Sequence, residues 1–117
     1  MDYDAILNEA HAAARAAVAA EVAARPERET DFDCGFAWVT VDGNSAIARH
    51  CRAKLKAGSD HATRHVYGDK GAVRGWQWWK PGGFGGQSIR IHRKGSEAFV
   101  AKLGEYGIRA DMGSRLD

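Results

Sequence analysis

The sequence predicts an α+β domain: a ferredoxin-like β-α-β-β-α-β antiparallel sheet with two helices on one face, preceded by an Ala-rich N-terminal helix. Three observations predict it. Eleven of the 21 alanines fall in residues 1–25. Short runs rich in β-branched and aromatic residues recur through the rest of the chain. Between them lie two segments whose apolar residues repeat every three or four positions, the period of a helix packed on one face.

Each element has its own reason. Residues 1–25 form the leading helix, since Ala is the best helix former. Asp2 or Asp4 caps its start, and Pro26 marks its end. Its stripe of Ile6, Leu7, Ala10, Ala14, Val18 and Val22 is narrow and small, which suits docking on the body or pairing with another chain. Residues 26–33 read as a polar linker, and 34–117 as one α+β domain.

Cys34–Val41 is the first predicted strand, ended by Asp42-Gly43. Asn44 or Ser45 caps a helix running to about Ala57, with Ile47, Cys51 and Leu55 on its inner face and Gly58 as its stop. Residues 59–72 read as irregular, with one helical turn capped by Asp60 and closed by Gly68. Val73–Lys80 is the second strand. The Pro81–Gly86 run holds four glycines and must be a loop, here a mobile hairpin with Phe84 at its tip. Gln87–His92 alternates polar and apolar and reads as the third strand. Ser96 starts a helix with Phe99, Val100, Leu103 and Tyr106 on one stripe, and Gly107 stops it. Ile108–Met112 alternates again as the fourth strand.

Composition narrows the function. Hydrophobic residues make up 44% and charged residues 27% of 117, an ordinary globular balance. No apolar run reaches the roughly 18–20 residues of a membrane span. Two cysteines are too few for a disulfide framework. The net charge of +2 divides unevenly, with three Arg and seven acids in residues 1–32 and the cationic surplus in the body. Such a body suits anionic partners.

Alternation along the strands then places the candidate site. Ala37, Val39 and Val41 face the helices, leaving Phe36 and Trp38 on the open face. Trp76 and Trp78 share one face of the second strand and are assigned to the open side, with Trp79 pointing inward. Ile89 and Ile91 point at the helices, so Arg90 and His92 join the open face, as does Arg109. The candidate ligand-binding set is Phe36, Trp38, Trp76, Trp78, Phe84, Arg90, His92 and Arg109. Aromatics beside arginines on a sheet are how sheet-type RNA-binding modules stack bases and hold phosphates. The expected partner is a nucleotide or nucleic acid. The alternative is a protein–protein module using the same face, and a third possibility covers that face with the leading helix or a second subunit.

Other constellations carry less. His61 and His65 are four apart, but a metal site needs further ligands from Cys34, Cys51, His50 or His92, and no Cys-x-x-Cys is present. Cys34 and Cys51 read as small buried hydrophobes. Ser45 and Ser96 read as helix caps. No catalytic constellation emerges, so neither an enzyme nor a cofactor is expected.

Three stretches carry a resemblance: Asp33-Cys-Gly-Phe-Ala-Trp-Val39, Gly75-Trp-Gln-Trp-Trp-Lys-Pro81 and Gly107-Ile-Arg-Ala-Asp-Met-Gly-Ser-Arg-Leu-Asp117. Together they resemble small uncharacterised proteins of tailed phages and prophages. The resemblance implies a cytoplasmic protein made in an infected bacterial cell, and it carries no catalytic residues over.

Overall fold

The computed structural model describes residues 1–24, 34–58, 64–67 and 73–116, with 64–67 and 73–74 described by their backbone. The chain is α+β, with three helices and an antiparallel sheet. The elements are α1 (Tyr3–Ala24), β1 (Gly35–Asp42), α2 (Ala46–Lys56), β2 (Arg64–Tyr67), β3 (Val73–Trp79), α3 (Ile89–Glu105) and β4 (Asp111–Leu116). The strands lie in the order β2-β3-β1-β4, and each neighbouring pair is antiparallel.

Local chemistry starts and stops the helices. The Asp2 carboxylate accepts the Ala5 amide at 3.1 Å, so Asp2 rather than Asp4 caps α1. Ser45 caps α2 by accepting the Ala48 amide. Gly58 (φ 81°) follows the end of α2 and Gly107 (φ 74°) that of α3, each in the left-handed region a side chain disfavours.

The core lies on one face of the sheet. Ala37, Val39 and Val41 of β1 are buried there, as alternation predicts. So are Trp76 and Trp78 of β3, at 0% and 1% exposure. Pairing explains this: Val41 lies opposite Trp76 and Val39 opposite Trp78, and opposed residues point to the same side. Ile6, Leu7, Ala10 and Ala14 of α1, Ile47 and Cys51 of α2, and Phe99 and Leu103 of α3 close over them. The leading helix therefore packs into the helical layer, against α3, and not over the opposite face.

The closeness of α1 to α3 depends on missing side chains. A Cβ at Gly95, in the middle of α3, would sit 2.6 Å from the Pro81 carbonyl oxygen and 2.9 Å from Val18 Cγ2. A Cβ at Gly82 would meet Val18 and the Ala14 carbonyl at 2.8 and 3.0 Å. The Pro81–Gly86 segment is thus wedged against both helices.

Several sequence expectations are corrected. Residues 87–92 are not a strand: Ser88 accepts the Ile91 amide and caps α3, which begins at Ile89 and runs through Gly95 and Ser96. Ser96 is therefore a buried mid-helix residue, not a cap. The glycine loop joins β3 to α3 instead of forming a hairpin between strands. The last strand starts at Asp111, three residues later than alternation suggested. Within 59–72, Arg64–Tyr67 is a strand rather than part of a helical turn, while Asp60, His61 and Gly68 lie outside the described residues, as does the 26–33 linker. The predicted second strand, Val73–Lys80, is observed as Val73–Trp79 and comes third in the chain, because Arg64–Tyr67 precedes it.

The two adjacent tryptophans of β3 should differ sharply in their contribution to stability. Trp78→Ala should destabilise the fold by about 3–5 kcal/mol, the usual cost of emptying a large buried site. Trp79→Ala should cost much less, because Trp79 is 38% exposed. Urea denaturation of the two variants checks the order.

Candidate aromatic face

The second face of the sheet is built from β1, β3 and β4 residues of the other parity. Trp38 lies between Trp79 on one side and Gly113 on the other. The Trp38 and Trp79 rings are stacked, with centroids 5.5 Å apart and planes inclined by 15°. Phe36 touches Trp79 at 5.4 Å, and His92 touches Phe36 at 5.5 Å and Phe84 at 5.2 Å. Five rings therefore run in contact from the sheet to the glycine loop. Lys80 Nζ lies 5.7 Å from the Phe36 ring centroid, within cation–π range. A groove of about 640 Å³ opens over this face, lined among the described residues by Trp38, Gln77, Trp79 and Arg115.

Two backbone features hold the arrangement. Gly113 leaves room for Trp38: a Cβ there would lie 2.6 Å from Cε2 of the indole, and closer still to its Nε1. Lys80 has φ 49°, a left-handed conformation that costs a non-glycine residue energy. It is held there because its amide donates to the Ala37 carbonyl while its own carbonyl accepts the Gly83 amide, both at 3.1 Å.

The eight residues expected in the site separate. Phe36, Trp38, Phe84 and His92 come together. Trp76 and Trp78 do not; they are core, and Trp79 takes the outer position assigned to them. Arg90 lies on α3, where its Nε pairs with Glu21 of α1 at 3.3 Å. Arg109 borders a separate groove of about 540 Å³ at the start of α2, shared with Ser45 and Asp111. His92 comes from a helix, not a strand, and is fully buried. Sequence reasoning missed Trp79, Lys80 and Arg115. The signal that could have found Trp79 was the Trp-Gln-Trp-Trp run, which puts an indole on each face whichever register holds.

His92 ties the loop to the helix. Its Nε2 donates to the Gly86 carbonyl at 2.8 Å, while Nδ1 is buried with no hydrogen-bond partner among the described residues. Burial depresses its pKa, the Gly86 bond acts in the opposite sense, and nearby Lys80 lowers it further. Elsewhere, burial pushes the Cys51 thiol up to about 12, which leaves it no nucleophilic thiolate near neutrality. Among the described residues, no group of three His, Cys, Asp or Glu could hold a metal ion. No described helix is long and apolar enough to cross a membrane.

No protein-family model, curated protein or solved structure matches this chain.

Two outcomes follow from this geometry. A histidine with a depressed folded pKa binds its proton more readily when unfolded. Stability should thus be complete above the unfolded value near 6.5 and fall as pH drops below it toward the folded value. Urea melts at about pH 7.5 and about pH 5.5 should show that loss, and His92→Gln, which keeps a donor for Gly86 but cannot titrate, should reduce it. Gly113→Ala should displace the Trp38 indole. Its near-ultraviolet circular dichroism and emission should change while the far-ultraviolet helix signal remains.

Proposed function

We propose that this chain is a small phage-type binding protein that holds a nucleotide or nucleic acid on the outer face of its sheet. The observation that carries the reading is the stacked Trp38–Trp79 pair, open on a groove that Arg115 also lines. Stacking on flat side chains accepts any base, because every base has a π-face. Phe36 extends the platform. Lys80 and Arg115 supply the cations that a phosphodiester needs, and the strained Lys80 backbone sets that ammonium beside the aromatic rings. Strain of this kind is concentrated where geometry serves a ligand.

The proposal takes the βαββαβ element order after α1 as a ferredoxin-like domain. Its support is the strand order, which puts β1 and β3 at the centre, where sheet-type RNA-binding modules carry their stacking rings. A cytoplasmic location in a bacterial host belongs to the same proposal and rests on the phage resemblance. The protein–protein alternative draws on one observation: Leu116, at the end of β4, is 62% exposed.

Tryptophan fluorescence, titrated with a mixed-sequence single-stranded DNA oligonucleotide, tests the reading. Binding should quench emission, and Trp38→Ala should weaken it by about 1–3 kcal/mol. Lys80→Ala and Arg115→Ala should each reduce the slope of log affinity against log salt by about one. If neither the oligonucleotide nor free nucleotides quench the fluorescence, the protein-partner reading replaces this one.

A further inference from the structure

The outer edge of β4 pairs with no strand among the described residues, since β4 ends the sheet. An open edge offers a row of backbone donors and acceptors to another strand. The charges on this one are arranged for itself. Asp111, Gly113 and Arg115 share the parity that faces the Trp38 side, opposite Thr40, Trp38 and Phe36 of β1. Asp111 and Arg115 are exposed and lie symmetrically about Gly113.

We propose that β4 is a homodimer seam, on which a second copy of this chain lays its own β4 antiparallel, centred on Gly113. In that register Asp111 faces the partner's Arg115 and Arg115 faces the partner's Asp111. The two-fold axis therefore makes the ion pair twice. Cross-strand pairs of opposite charge stabilise a sheet, and like charges directly opposed destabilise it. The neighbouring registers that keep both helical layers on the same side slip by two residues in sum. One sets Asp111 against the partner's Gly113, and the other sets Arg115 against the partner's Gly113. Neither makes the ion pair, so the centred register is singled out.

Gly113 suits the centre for a second reason. The Trp38 ring already lies over it, and in the dimer the two Trp38 rings approach the seam from either side. With strands about 4.8 Å apart, the two β1 strands lie about 14 Å from one another. The two outer faces then become one continuous aromatic surface. Arg115 has five N–H donors, enough to hold a carboxylate across the seam and still face its groove.

Sedimentation of the ligand-free chain over a concentration series tests the seam independently of any base binding. The mass should climb from 12.7 kDa toward twice that value. A single strand pair is a small interface, so the rise should come late in the series. Asp111→Arg or Arg115→Asp alone should hold the mass at the monomer's, and D111R/R115D together should restore the rise. Far-ultraviolet circular dichroism of each variant verifies folding. As a second readout, Met112 lies opposite the partner's Ser114 in this register, so M112C/S114C should form an interchain disulfide on oxidation, beyond that of M112C alone. A wild-type chain that stays at 12.7 kDa throughout overturns the proposal, and so does a dimer that either single reversal leaves unchanged.

Discussion

The burial of Trp76 and Trp78 beneath the helices is the constraint on which the rest of the structure depends. Two indoles are the largest fully buried side chains in the chain. Their opposition to Val41 and Val39 fixes the face of β3 that meets the helices. Because a strand alternates, the same choice sends Trp79 to the other side, where it meets Trp38. A one-residue slip of β3 would move both buried indoles into water and Trp79 into the core. The register of the aromatic face is thus set by core packing, and the Gly113 and Lys80 backbone features then hold its rings in place.

Much of the fold was legible because local signals agreed with it. The alternation of Ala37, Val39 and Val41 against Phe36 and Trp38, the Ser45 cap and the Gly58 and Gly107 stops were all readable from the residues. The segment 87–92 was not. Gln-Ser-Ile-Arg-Ile-His alternates like a strand, and Gly95 reads as a break before a helix starting at Ser96. Yet Ser88 is a good cap, and Ile91, Gly95, Phe99 and Leu103 form one stripe at four-residue spacing. Gly95 costs the helix about 1 kcal/mol relative to Ala in intrinsic propensity. Close packing against Pro81 and Val18 overrides that, and such packing is invisible in a linear sequence.

The site was half legible for a related reason. Trp-Gln-Trp-Trp places aromatics on both faces, so composition alone cannot say which face is buried. Assigning Trp76 and Trp78 outward agreed with a third strand that carried Arg90 and His92. Once that strand is a helix, the assignment loses its support, and Arg90 joins α1 through Glu21. Arg115 escaped notice because Gly113 and Ser114 are poor strand formers. Gly113 belongs in β4 because the Trp38 indole occupies the space where its side chain would be.

The wedge formed by Ala14, Val18, Gly82 and Gly95 bears on how this sequence can drift. Backbone approaches backbone at these positions, so an added methyl at either glycine has no cavity to enter. Enlargement at one position requires the helix pair to separate, which would also shift the loop carrying Phe84 and the Gly86 carbonyl that His92 holds. Variation here must be concerted: divergent chains that keep this fold will retain small residues at these positions together, or replace the whole contact at once, while the exposed sides of α1 and α2 change freely.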